Sequence, residues 1–538
     1  MLEATGELAA AIERATLDQV ERPCRHDAIV IGGGAAGGLA SALLTQAGLR
    51  VLVLDAGWRA PFREAPLRRT ISSALAMLAH PKAIGLMPPW LRWKGERVLR
   101  LMGQIRQPVQ SGCYAWPSAA ELFVDDRECP YDTPPDRPYQ WIRAWGLGGR
   151  MVVPLHGRQY YRLGARDFRP IDGLSPPWPF EPGELDPWYE LVEKRLHLSG
   201  RVDHSHWVPN SILAQVRDPS PAEAAFIQKV RTRYPKAEAI LGRFAQPMAS
   251  LAEAAASGRL LCRTGAIVRH IELDEQGRAA GVVFLDRRSR SLKVSRAPLI
   301  FLCASTLEST RILLTSRSDR HPEGIGGSSG CLGRHLMDHM TVKADGMGPE
   351  IADTHSIDEM GPCVYLPRFN GRAGGDQGTE RGFGIRVYQS PGPGRTSYFT
   401  AVADAEMLPR PENRVTLSSR SDAWGLPTLH ISCSHDAAEL EVTKMQMEAL
   451  RELADVAGAT LRGGLDTPPV PGSSIHECGT ARMGSDPSQS VLNPFNECWD
   501  AKGLFVTDGA AFPSLGIQNP TLTILALTAR ACHHAVGR

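Results

Sequence analysis

The stretch Asp27-Ala28-Ile29-Val30-Ile31-Gly32-Gly33-Gly34-Ala35-Ala36-Gly37 decides the fold. Its apolar, β-branched run from Ala28 to Ile31 reads as a strand buried on both faces, and the glycines that close it mark a tight turn. An alanine- and leucine-rich helix is predicted from Ala35 to Ala47 with Gly48 as its stop, followed by a second buried strand, Val51-Leu52-Val53-Leu54, ending at Asp55. Strand, helix and strand in this order make a βαβ unit with a right-handed crossover. Gly32, Gly34 and Gly37 hold G-x-G-x-x-G spacing in the first turn, where missing side chains let the backbone meet a pyrophosphate and the helix N-terminus faces its charge. The glycines alone are a weak signal. Context strengthens them, because Asp55 stands 18 residues past Gly37 at the end of the next strand, placed to accept hydrogen bonds from ribose hydroxyls. A dinucleotide site is the expectation, with a purely structural turn as the alternative. FAD and NAD share the adenosine half, so the glycines do not separate them. A two-dinucleotide reductase of the disulfide type would add a second fingerprint and a CxxC, and neither occurs.

Outward from this unit, the chain is 538 residues long, enough for roughly two to three units of domain size and a large buried core. Lys plus Arg number 60 and Asp plus Glu 58, so the net charge of +2 gives no field that would make nucleic acid the main partner; a small molecule is expected instead. Eleven scattered cysteines without CxxC or CxxCH argue against a zinc ribbon, a redox dithiol or an attached c-type haem, and read as reduced, packed thiols. Residues Met1 to Arg25 carry five acidic side chains and no apolar h-region, which reads as an amphipathic helix rather than a secretory signal. With no stretch near the roughly 20 apolar residues of a membrane span, a cytoplasmic location is expected, and export beside a signal-bearing partner stays open.

Between Trp58 and Pro138 the pattern dissolves, and the basic-aromatic segment Pro88-Pro89-Trp90-Leu91-Arg92-Trp93-Lys94 is equally readable as a surface contact, a subunit dock or an active-site cover. Gly265 to Leu273, Val282 to Leu285 and Ala297 to Cys303 read as further strands of the first sheet, the last leading into a helix from Thr306 to Ser316. The glycine-rich run Gly324 to Gly330 lacks a third glycine in register and reads as a flexible loop. From Met340 to Ser434 short alternating strands such as Val364 to Leu366, Gly382 to Val387 and Arg414 to Leu417 predict an antiparallel sheet in a separate substrate domain. Leu504 to Asp508 is again a buried strand, and a helix follows from Pro520 to about Ala535, with His533 and His534 at its negative end.

Several segments together resemble the glucose-methanol-choline (GMC) family of FAD oxidoreductases, from Asp27 to Arg538. They are the first fingerprint, Trp145-Gly146-Leu147-Gly148-Gly149, Ala304-Ser305-Thr306-Leu307-Glu308-Ser309 and Asn413-Arg414-Val415-Thr416-Leu417. The most specific is the C-terminal block, His476-Glu477-Cys478-Gly479-Thr480-Ala481-Arg482-Met483-Gly484, Phe505-Val506-Thr507-Asp508-Gly509 and Asn519-Pro520-Thr521-Leu522-Thr523. Within the family the chain looks most like the bacterial branch of gluconate, fructose and glucoside dehydrogenase flavoprotein subunits. The resemblance implies an α/β fold, with a Rossmann-like FAD-binding domain on a mixed sheet and a substrate domain built on an antiparallel sheet with helices. It divides the chain into an N-terminal helical extension (1–26), an FAD-binding domain (27–160, 255–340 and 476–538) and a substrate-binding domain (161–254 and 341–475). Gly32, Gly34, Gly37, Asp55, Gly148, Gly149, Val268, Asp508, Gly509, Pro520 and Thr521 would then hold FAD, and His476 and Asn519 would be catalytic. The implied partners are a small alcohol, an electron acceptor (oxygen, quinone or cytochrome) and a small or cytochrome subunit, with dehydrogenase favoured over oxidase. Arg150, Met151, Val152 and Val153 depart from the family's Ser or Thr followed by Trp or Asn. Val153 offers no histidine for covalent attachment, so FAD is expected to be non-covalent.

The chemistry asks for those two residues. As a hydride leaves an alcohol carbon for flavin N5, the hydroxyl proton must leave too, and histidine is a base of suitable pKa. A carboxamide can hold the same oxygen without competing for the proton. Asn before Pro520 also suits a helix N-cap, and such a helix would aim its positive end at the flavin's N1 and O2 edge. In the alternatives Asn519 is only a cap and His476 a packed or solvated histidine. His335 and His339, four apart around Asp338, suggest a metal pair, but no third ligand or general-base Glu completes a pattern, so no metal is expected. The resemblance favours a sugar, sugar acid or polyol hydroxyl as the group oxidised, and three alternatives stay in view: oxidation of a non-sugar alcohol in a secondary-metabolite pathway, a flavin-dependent lyase on the same fold, and a non-enzymatic flavin-binding subunit.

Overall fold

A computed structural model describes residues 26–57, 107–153, 158–170, 172–246, 248, 250–352, 363–369, 381–462 and 468–537. The expected N-terminal helix and the segment Pro88 to Lys94 lie outside these residues.

The opening run folds as read, with strand Ala28–Ile31, helix Ala35–Gln46 and strand Val51–Asp55. The two strands are the middle of a five-stranded sheet completed by Leu504–Val506, Leu299–Leu302 and Leu260–Thr264, and every pairing in it is parallel. A parallel sheet is covered on both faces, and the alternation shows it. Ile29, Ile31, Leu52, Leu54, Ile300 and Leu302 enter one apolar core, while Ala28, Val30, Val51, Val53 and Phe301 enter the other, where Phe301 and Phe505 stack. Helix Thr521–Val536 closes the second core with Ala531, Cys532 and Ala535.

Two expectations need correction. Residues Ala266–Leu273 and Ala279–Asp286 do not join the first sheet; with Ser291–Arg296 they form a three-stranded antiparallel sheet of their own. Hydrophobic runs announced strands there, but partner choice depends on which edge is left free, and strand Leu260–Thr264 already occupies the position beside Val51–Asp55. Similarly, Arg414–Ser421 forms a separate two-stranded ribbon with Pro427–Ser432, with an isolated bridge from Arg414 to Arg334. The large antiparallel sheet runs in the order Thr460–Leu461, His339–Pro349, Thr396–Glu406, Phe383–Pro391, Val364–Phe369, Ile240–Leu241. Helix Ala437–Ala457 packs on it, capped by Asp436 and Glu439 in a reciprocal box and ended by Gly458 at φ 72°. The run Gly324 to Gly330 is not a free loop, since Asp500 accepts from the backbone of Gly326 and Ser328.

Candidate active site

Four of the predicted glycines do different work. At Gly37 an added Cβ would lie 1.8 Å from the Gly32 carbonyl oxygen, so this glycine lets the helix seat on the strand. Gly34 meets nothing closer than the Gly149 Cα at 3.8 Å, which leaves its backbone open to the cavity in front of it. Gly149 itself has φ 61° and faces Gly34, and Gly148, at φ 98°, forms the turn that brings it there. Asp55 accepts from the backbone N–H of Gly33 and of Gly57, both at 2.7 Å. The carboxylate thus braces the glycine turn; the sequence alone reserves it for the ribose, which its remaining lone pairs can still serve. Burial pushes its carboxyl up despite those two donors.

The cavity encloses about 1260 Å³ of empty space, part of it open to solvent. Gly32, Gly34, Asp55, Gly149, Val268, Asp508, Gly509, Pro520, Thr521 and His476 all line it, although they come from seven separate stretches of chain. Gly37 and Gly148 act from behind. Three helices of ten residues or more begin at its wall, at Ala35, Thr306 and Thr521, and none has a side-chain hydrogen bond at its N-cap. Three uncapped positive helix ends around one cavity suit a ligand with separated anionic groups. Together with the glycine cradle, this fits FAD: the glycine turn would hold the pyrophosphate, Asp55 the ribose, and Pro520 and Thr521 the flavin end.

At that far end, His476 Nε2 accepts from the amide nitrogen of Asn519 at 3.2 Å, closing a sequence gap of 43 residues. Both residues are half-buried, so a small molecule can reach them. The helix starts one residue later than read, with Pro520 in the cap position and no side-chain cap. The bland reading of Asn519 as an N-cap therefore fails, since its amide is turned to the histidine.

Sequence reasoning missed what holds His476. Asp338 accepts from the His476 backbone N–H at 2.9 Å and from the N–H and hydroxyl of Ser474. Burial, then the charge of Glu477, pushes the Asp338 carboxyl up to about 7. Glu477 is ion-paired with Arg150 at 2.7 Å, and Arg150 also donates to the Ile475 carbonyl and to Ser305 Oγ. Arg150, noticed in the sequence only as a departure from the family pattern, is thus a strut between the second glycine turn and the histidine segment. Ser309 Oγ and the Ala510 N–H donate to Asp508, whose carboxyl burial lifts to about 6. Four non-glycine residues around the site, Ser305, His335, Ile475 and Thr480, hold positive φ of 64–74°, a strain of about 1–3 kcal/mol each that only the surrounding packing can enforce.

The metal pair dissolves. His335 Nδ1 faces the Pro409 carbonyl, whereas His339 has one ring nitrogen on the Gly516 carbonyl and the other on His476. Residues 335–339 are not helical, so a four-residue spacing brings no common face.

Residues 409–528 match the sequence family described as GMC oxidoreductase. The chain is 26% identical to paromamine 6'-oxidase of Streptomyces fradiae over 95% of its own length and 91% of the relative's. It is 28% identical to 6'''-hydroxyparomomycin C oxidase of Streptomyces lividus over 75% and 81%, and 29% identical to the fructose dehydrogenase large subunit of Gluconobacter japonicus over 49% and 52%. The crystal structure of pyridoxine 4-oxidase from Mesorbium loti superposes with a TM-score of 0.61, covering 95% of this chain and 99% of that one at 19% identity, which speaks for the fold alone. The chain therefore resembles the GMC oxidoreductases, a family of FAD-dependent flavoproteins, through the family model over residues 409–528 and through relatives along most of its length.

Proposed function

We propose that the protein oxidises a hydroxyl-bearing carbon of a polyhydroxylated small molecule, a sugar, sugar acid or polyol, with His476 as the base and Asn519 as the group that holds the reacting oxygen. The observation that carries this reading is the contact between His476 Nε2 and the Asn519 amide, beside a cavity that His476, Pro520 and Thr521 line and that fits FAD. FAD, when bound, supplies the hydride acceptor. His476 takes the hydroxyl proton at Nε2, so the O–H bond breaks as the C–H bond gives up its electron pair and the carbonyl forms. Asn519 donates to the same oxygen and fixes its direction. The positive end of helix Thr521–Val536 stabilises negative charge arising in front of Thr521. Relatives named for fructose and paromamine support a polyhydroxylated substrate.

Anaerobic mixing of the holoenzyme with a panel of sugars, sugar acids, polyols and simple alcohols tests the reading. Bleaching of the flavin's visible absorbance is expected with a polyhydroxylated member, and turnover without bleaching would point to lyase chemistry. His476→Ala should slow that bleaching by about a hundredfold or more while FAD stays bound; near-normal reduction in the variant refutes the assignment. Repeating the best substrate in air and with a quinone identifies the electron acceptor.

A further inference from the structure

We infer that His339 is the positioning residue that fixes His476 in the tautomer with its basic lone pair on Nε2, an inference that rests on the reading of His476 as the base. His339 is 2% exposed, at the start of strand His339–Pro349, opposite Glu406. Burial holds its ring below the usual histidine range, with Asp404 and the Gly516 carbonyl pulling the other way. Its Nε2 lies 2.9 Å from the Gly516 carbonyl oxygen, and its Nδ1 lies 2.9 Å from Nδ1 of His476.

A carbonyl oxygen only accepts, so His339 Nε2 carries a proton, and a neutral imidazole has only one. His339 Nδ1 is then an acceptor, and the hydrogen in the contact between the two rings must sit on His476 Nδ1. The remaining nitrogen of neutral His476, Nε2, carries a lone pair, and the Asn519 amide donates to it at 3.2 Å. Each assignment forces the next, from a backbone carbonyl at residue 516 to the base. Asp338, the preceding residue, fixes the backbone of the same histidine through its N–H, so two consecutive side chains hold the main chain and the ring of one residue.

When Nε2 takes the hydroxyl proton, His476 becomes an imidazolium that still donates Nδ1–H to His339. The proton goes no further in that direction, because the far nitrogen of His339 already donates to a carbonyl, and it must leave by the Nε2 side. The orienting partner is neutral, in contrast with the carboxylate of a serine-protease triad, and the imidazolium therefore gains no opposite charge from it.

Two substitutions separate this role from simple packing. In Asn the side-chain oxygen can stand where Nδ1 stood, and in Gln the amide nitrogen can stand where Nε2 stood. His339→Asn keeps the acceptor for His476 and loses the Gly516 bond; His339→Gln does the reverse. The FAD-loaded enzyme, labelled with 15N-histidine and its His476 signals identified from their loss in His476→Gln, reports the tautomer directly. Wild type and His339→Asn should show a protonated Nδ1 and an unprotonated Nε2, whereas His339→Gln should show a mixture of tautomers. A wild-type Nε2 that carries the proton, or an unchanged tautomer in His339→Gln, overturns the inference. With the alcohol that bleaches the wild-type flavin fastest, kcat should fall by about tenfold or more in His339→Gln, and much less in His339→Asn. The opposite order would mark His339 as a structural anchor for residue 516. Should no alcohol bleach the wild-type flavin, the proposed oxidation fails while the tautomer measurement still decides the inference.

Discussion

Gly37→Ala and Gly34→Ala form a pair in which nearly the same chemical change has opposite consequences. A Cβ at position 37 would start 1.8 Å from the Gly32 carbonyl oxygen, 3.0 Å from its carbon and 3.1 Å from Val30 Cγ1, against an ordinary contact of at least 3.4 Å. The nearest atom is backbone in the turn itself, so relief requires the helix N-terminus to lift by about 1.6 Å. Overpacking at a buried site costs about 1–3 kcal/mol, occasionally more. A displacement of that size also breaks any hydrogen bond from the helix N-terminus to a bound phosphate, and each bond to a charged group contributes about 1.5–3 kcal/mol, or about 10- to 150-fold in affinity. A Cβ at position 34, by contrast, would have its nearest neighbour at 3.8 Å on a backbone at φ −74°. The Gly34→Ala apoprotein should therefore melt within about 0.5 kcal/mol of wild type, and only its FAD affinity should fall, because the new methyl lies where backbone must approach the pyrophosphate. Apoprotein melting by circular dichroism, together with FAD titration followed by flavin fluorescence, measures both quantities. The reasoning is refuted if Gly37→Ala matches wild type in both, or if Gly34→Ala destabilises the apoprotein as much as Gly37→Ala does.

Asp55→Asn replaces one of two oxygens that accept backbone N–H groups with a donor, which should cost about 1–3 kcal/mol of apoprotein stability; an unchanged denaturation midpoint would remove Asp55 as the brace of the glycine turn. Arg150→Leu leaves Glu477 buried without its cation and should destabilise by about 3 kcal/mol, with Arg150→Leu/Glu477→Gln recovering much of the loss in a denaturant titration. For Asp338, a folded pKa of about 7 against an ordinary value near 4 means that the native protein holds a proton the unfolded chain has released. Its contribution to stability is present below pH 4 and is lost as pH rises to 7, on the order of 4 kcal/mol at most. The stability of Asp338→Asn relative to wild type should accordingly improve across that window, and a pH-independent difference would contradict the shift.

How much of this was legible beforehand follows the range of the forces involved. Gly32, Gly34, Gly37 and Asp55 were readable because strand, turn, helix and strand are built from neighbours, and the geometry of a short βαβ unit leaves those residues little freedom. The helix Ala437–Ala457 carries both of its end signals in the sequence, Asp436 with Glu439 at the start and Gly458 at the stop. His476 and Asn519 were named through a family resemblance rather than through spacing, since nothing in a 43-residue interval says that two side chains will meet.

By itself the sequence determined the buried strand Ala28–Ile31, the glycine turn and the helix behind it, and the antiparallel character of much of the region after Met340, because alternation and backbone freedom act over a few residues. Only the tertiary structure decided that residues 266–286 leave the parallel sheet, that Asp55 braces its own turn, and that His339 is the partner of His476 across 137 positions. Those outcomes depend on which sheet edge is free and which polar groups are buried together. An unpaired carbonyl at Gly516 or an unpaired carboxylate at Glu477 would be costly in the interior, and that cost, paid or avoided only once the chain has closed on itself, selects the partners.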